Sequence, residues 1–80
     1  MTRDELFSTV KTILVEDFDI DETLIREDAK IGDDLELDSI DAVDMIVKLK
    51  PYLFDSVEPQ VFKSVKTVGD VVNVLLPLSK

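Results

Sequence analysis

The sequence predicts an all-α fold, a small four-helix bundle with three main helices, one short helix and a long loop between the first two. Three observations carry that expectation. Apolar residues recur at helical spacing in three separate stretches, each opened by capping chemistry. Pro51 and Pro77 fall where two of those stretches should stop. The chain has no cysteine, so neither disulfides nor thiolate metal sites can staple it. Packing alone must hold 80 residues together, which suits a bundle, and that length leaves room for a single domain, 1–80, with one core.

Thr2-Arg3-Asp4-Glu5 has the capping-box form and should open the first helix. Leu6, Phe7, Val10, Ile13 and Leu14 then line one apolar face that runs to about Glu16. From Asp17 to Glu36 the pattern dissolves into acidic and turn residues, leaving Phe18, Ile20, Leu24, Ile25, Ile31 and Leu35 as isolated apolar anchors. Loops of this length in compact domains are usually functional. Asp38 is a strong N-cap for a second helix, and Asp41 adds negative charge in the first turn, where the helix dipole favours it. Ile40, Val43, Ile46, Val47 and Leu49 give that helix a broad apolar face up to about Lys50, where Pro51 should stop it. Glu58-Pro59 fits the start of a short helix carrying Val61, Phe62 and Val65. Thr67 to Asp70 repeats the capping spacing before Val68, Val71, Val72, Leu75 and Leu76, a last helix ended by Pro77.

Charge is distributed unevenly. From Glu16 to Asp44 there are 13 acidic residues and only two basic ones, Arg26 and Lys30, while the rest of the chain nets +2. Such a field repels nucleic acid and anionic membrane and draws in basic protein surfaces over a Debye length of about 8 Å. The opening residues lack the apolar core of a signal peptide, and no apolar run approaches a membrane span, so the reading is of a cytoplasmic protein. With no histidine and no cysteine, the chain lacks the usual general base, the thiolate nucleophile and the common nitrogen and sulfur metal ligands. Its carboxylates lie in a polar loop where solvation keeps them ionised, which argues against an enzyme.

Asp17, Asp19, Asp21, Leu24 and Asp28 fall at positions 1, 3, 5, 8 and 12 of an EF-hand loop. Glu22, however, stands where that loop needs glycine, and Asp28 is one methylene shorter than the usual bidentate glutamate. The pattern points to weak cation binding by clustered oxygens and to no dedicated metal site.

Asp34-Leu35-Glu36-Leu37-Asp38-Ser39-Ile40-Asp41 resembles the signature of the acyl carrier protein family, in which an Asp-Leu pair and a short spacer precede Asp-Ser-Leu at the start of the second helix. The likeness extends over essentially the whole chain. It implies a 4′-phosphopantetheine arm, installed by a separate pantetheinyl transferase on the Ser39 oxygen beside Asp38, with the phosphate at a helix N-terminus whose free N–H groups favour an anion. It further implies that the arm's sulfur holds acyl groups as thioesters while partner enzymes do the chemistry of fatty acid, specialised lipid or polyketide synthesis. Asp38, Ile40, Asp41 and Asp44 would then meet basic partner enzymes, and Val43, Ile46, Phe62, Val65 and Val72 would line a space for the acyl chain. The carrier would act as a monomer.

Three departures from the family pattern stand in the sequence, two of them mild and the third bearing on recognition by generic fatty acid synthesis enzymes. Glu36-Leu37 replaces the family's frequent glycine-containing spacer, and Ile40 replaces the leucine after the serine. The second helix ends in Lys48-Leu49-Lys50-Pro51, whereas typical fatty acid carriers are acidic there. An aminoacyl or peptidyl carrier, or an acidic helical adaptor without a prosthetic group, remains open on the sequence alone.

Overall fold

The computed structural model describes residues 1–54, 57 and 64–80, with Ser39 described by its backbone alone. It contains α1 (Arg3–Phe18), α2 (Ser39–Leu49) and α3 (Val68–Leu75), with single 3-10 turns at Glu22–Leu24, Lys50–Tyr52 and Leu76–Leu78. Among the described residues there is no strand, and no helix is long and apolar enough to cross a membrane. The short helix expected after Pro59, with Val61 and Phe62, lies outside the described residues.

Each of the three α-helices among the described residues starts on a reciprocal capping box. In α1 the Glu5 amide donates to Thr2 Oγ1 at 3.2 Å and the Thr2 amide to Glu5 Oε1 at 2.9 Å. In α3 the Asp70 amide donates to Thr67 Oγ1 at 3.1 Å, and Asp70 Oδ2 accepts from the amides of Lys66 and Thr67 at 3.2 Å each. Those two amides, Lys66 first, hold the Asp70 carboxyl below the usual carboxylate range. α1 runs two residues beyond Glu16 and stops when Asp19 turns left-handed at φ 56, a conformation Asp tolerates better than most side chains. Pro51 and Pro77 each sit inside a 3-10 turn, so both helices tighten before they end.

The core gathers Leu6, Val10, Ile13 and Leu14 from α1, Met45 and Leu49 from α2, and Val68, Val71, Val72 and Leu75 from α3. The loop between α1 and α2 adds Ile25, Ala29 and Leu35, and the segment after α2 adds Leu53 and Val57. Phe18, Ile20 and Ile31 pack against this core part-buried, but Leu24 faces solvent from its 3-10 turn and is not an anchor. On α2 the buried positions are Ala42, Met45 and Leu49, whereas Ile40, Val43 and Val47 are 76, 43 and 62% exposed. Both sets follow i, i+3, i+7 spacing on nearly opposite sides of the helix. Periodicity therefore admits either, and the broad face read from the sequence mixed the two.

The loop is tied to the start of α3. The Ile31 amide donates to the Lys66 carbonyl at 2.9 Å, the Val68 amide to Ala29 at 3.0 Å and the Gly69 amide to Glu27 at 2.9 Å. Arg3 reinforces the junction by pairing with Glu27 and donating through Nε to Asn73 Oδ1 at 2.9 Å. Gly69 is required by this approach, because a Cβ there would stand 2.9 Å from the Glu27 carbonyl oxygen.

Gly69→Ala should accordingly destabilise the protein by about 1–3 kcal/mol despite alanine's better helix propensity, measured by urea unfolding. Asp70 supplies a pH test. Because its folded pKa is depressed, its contribution is present above the ordinary value of 3.8 and is lost as pH falls through the folded value. Asp70→Asn should be less stable than the parent at pH 7, and the two stability curves should converge at the acid end of the titration.

Candidate functional site

Ser39 is the first residue of α2. The turn that presents it is built by its neighbours: Asp38 Oδ1 accepts from the amides of Ile40 at 2.9 Å and Asp41 at 3.0 Å, and Asp41 Oδ2 accepts from the Asp38 amide at 3.1 Å. Asp41 thus closes a capping box, beyond the dipole role read from the sequence. The Asp-x-x-Asp spacing, parallel to Thr67–Asp70, was the available signal. The same bonds correct the expectation of free N–H groups for a phosphate here, since Asp38 already occupies two amides of the first turn.

The approach to Ser39 is set by the loop. The amides of Asp34 and Leu35 donate to the Lys30 carbonyl at 2.9 and 3.1 Å, and the Leu37 amide donates to Ile31 at 3.0 Å. Lys30 and Ile31 are in turn held against Lys66 and Thr67. Glu36 sits in this spacer at φ 56, a left-handed conformation that costs a residue with a Cβ roughly 1–2 kcal/mol.

Around Ser39, the side chains of Asp38 and Asp44 are exposed and Asp41 is half-buried. With Ile40, Val43 and Val47 they form an outward surface of α2 that combines an apolar stripe with carboxylates. Val43, expected to line an acyl space, belongs to this outer stripe. Val72 is fully buried, Ile46 and Val65 pack part-buried against the core, and Phe62 lies outside the described residues. An apolar gap too tight to admit a water molecule is lined by Val10, Leu14, Ile31, Leu37, Met45, Val68 and Val71. The expected lining residues that are described, Val43, Ile46, Val65 and Val72, are not among these seven. Leu37, two residues before Ser39, places the gap beneath the approach to α2.

The EF-hand spacing does not converge on a site. Asp17 lies on α1 and pairs with Lys48 at 3.5 Å, while Asp21 Oδ1 caps the next turn by accepting from the Thr23 amide at 2.9 Å and hydroxyl at 2.8 Å. Among the described residues, no group of three or more His, Cys, Asp or Glu is placed to hold a metal ion.

Residues 8–75 match the family model described as "phosphopantetheine attachment site". The chain is 40% identical over 78 residues to acyl carrier protein 2 of Ralstonia nicotianae, covering 98% of this chain and 96% of that one. It is 36% identical to the acyl carrier protein of Thermotoga maritima, covering 92 and 91%. The fold is similar to that of the acyl carrier protein of Enterococcus faecalis, with a TM-score of 0.75, 28% identity, and coverage of 99% of this chain and 100% of that one.

Relieving the left-handed spacer should stabilise the chain. Glu36→Gly should raise stability by about 0.5–1 kcal/mol, the strain relieved less the added entropy of the unfolded chain. Glu36→Ala, which keeps the Cβ, should give no such gain in the same thermal melts.

Proposed function

The chain belongs to the acyl carrier protein family, and on that premise we propose that Ser39 is the residue that bears the phosphopantetheine arm and that residues 1–80 work as one carrier domain. The observation that carries this reading is position: Ser39 begins α2 immediately after its N-cap, inside the span matched by the attachment-site model. The group fits the residues present. A chain with no cysteine has no thiol of its own, and Ser39 heads a helix between two exposed residues, Asp38 and Ile40. When bound, the arm supplies the terminal thiol that holds acyl groups as thioesters.

The protein's own residues contribute the rest. Asp38 and Asp41 hold the first turn of α2 rigid through their reciprocal cap, so Ser39 is offered at a fixed point. Ile40, Val43 and Val47, rimmed by Asp38, Asp41 and Asp44, form the docking surface for pantetheinyl transferase and acyl-handling enzymes. The apolar stripe supplies contact area, and the carboxylates steer basic partners and fix their orientation. The gap bordered by Leu37, Met45, Val68 and Val71 shelters the first part of an acyl chain. Its narrowness means that cargo enters only as α2 and the loop separate slightly. The partner enzymes, and not this chain, make and break the bonds. We place the carrier in the cytoplasm as a monomer, serving fatty acid or specialised lipid synthesis.

Incubation with coenzyme A and a broad-specificity pantetheinyl transferase tests the assignment by intact mass. The wild-type protein should gain one phosphopantetheine, and Ser39→Ala should gain none. An unchanged wild-type mass, under conditions that modify a control carrier, would overturn it. Asp44→Lys, which leaves the cap intact, should still accept the arm but at a lower rate, with the deficit shrinking as salt is added.

A further inference from the structure

α2 changes sign along its length. Asp38, Asp41 and Asp44 occupy its first half, Lys48 its last turn and Lys50 its C-cap. Asp41 and Lys48 are two helical turns apart, so they share a face at a separation of about 10 Å. That is close to a Debye length of about 8 Å, far enough for a partner surface to feel two separate potentials. Lys48 does not fold back onto Asp44; it reaches Asp17 at the end of α1, Nζ to Oδ1 at 3.5 Å. Lys50 is exposed and forms no ion pair among the described residues.

Beside Lys50 stand two exposed aromatic residues, Tyr52 at 40% and Phe54 at 74% exposure. Their backbone is anchored. Leu53 is buried and its amide donates to the Lys50 carbonyl at 3.1 Å, the Phe54 amide donates to Leu78 at 2.8 Å, and the Lys80 amide donates to Tyr52 at 3.0 Å. The favourable placement of lysines at a helix C-terminus accounts for Lys48 and Lys50 but not for a phenylalanine held out into water. The acidic half of the same helix, within about 10 Å, repels nucleic acid and anionic membrane and favours a protein surface as what covers it.

We propose that Lys48, Lys50 and Phe54 form a partner-selecting element that admits acyl-handling enzymes whose docking surface turns from basic to acidic along α2 and rejects uniformly basic ones. The inference rests on the carrier reading and names its partner class. On such an enzyme, basic groups meet Asp41 and Asp44, an acidic group meets Lys50, and an apolar recess receives Phe54. On a uniformly basic enzyme, the second half of α2 brings like charges together, which costs affinity and on-rate.

The test uses the protein loaded with its arm, malonyl-coenzyme A, and a malonyl transacylase chosen for a uniformly basic surface around its active-site entrance. Lys48→Glu/Lys50→Glu should raise kcat/KM for transfer by about tenfold at low ionic strength, and the gain should fall toward unity with added salt. Changing to Glu those transacylase residues that face the C-terminal end of α2 should invert the ranking of parent and variant. With that altered enzyme, Phe54→Ser should lower transfer from the parent about threefold or more. If circular dichroism shows the double Glu variant unfolded, Lys48→Ala/Lys50→Ala must still raise transfer by the basic enzyme about threefold. Normal loading with kcat/KM unchanged or lowered in the charge variants would overturn this inference and leave the carrier reading intact. Failure of the wild-type protein to accept the arm would overturn the carrier reading and this inference with it.

Discussion

The three backbone hydrogen bonds that join residues 27–31 to residues 66–69 set the position of everything at the head of α2. The loop between α1 and α2 has little regular structure of its own, and without a fixed partner its conformational entropy would leave Ser39 undefined in space. Pairing Glu27, Ala29 and Ile31 with Gly69, Val68 and Lys66 anchors the loop at its middle. The Leu37 amide bond to Ile31 then carries that anchor to within two residues of the serine. Gly69 is the sequence's concession to this contact, because only a residue without Cβ lets the Glu27 carbonyl come so close. Arg3 adds a tie to the opposite end of the chain by engaging Glu27 and Asn73 together.

A helix with apolar residues on two nearly opposite sides cannot bury both against one small core. In α2 the side bearing Ala42, Met45 and Leu49 packs inward, and the side bearing Ile40, Val43 and Val47 is left in water. Exposing the outer stripe brings the folded chain no stability. It is intelligible as a surface held for intermittent contact, where burial is completed only by a partner. The carboxylates of Asp38 and Asp41 serve both levels, closing the capping box that starts the helix and adding negative charge beside Ser39.

Electrostatics gives that surface direction. Thirteen acidic residues between Glu16 and Asp44 make one region of the molecule strongly negative. The sign then reverses within two turns of the same helix. Lys48 is partly engaged by Asp17 across the α1–α2 junction, which leaves Lys50 and the anchored Phe54 as the features presented beyond the acidic half. On the proposed reading, a flexible arm at Ser39 would make the carrier common to many enzymes, so discrimination among them would have to come from such fixed features of α2.

Much of this was legible in the sequence because it depends on neighbours along the chain. Capping at Thr2, Asp38 and Thr67, the stops near Pro51 and Pro77, the acidic segment, and the serine following its cap are all local patterns acting within one or two helical turns. Other features arise only where distant segments meet. Helical periodicity could not choose between the two stripes of α2, so Val43 was expected inside and is found outside. Leu24 was expected to anchor the loop, but its 3-10 turn directs it to solvent. The apolar gap draws Val10, Leu37, Met45 and Val68 from four parts of the chain that no spacing rule connects. Local hydrogen bonding and sterics determined where helices begin and end; which face each turned inward was decided by packing of the whole chain around a core too small to take every apolar residue.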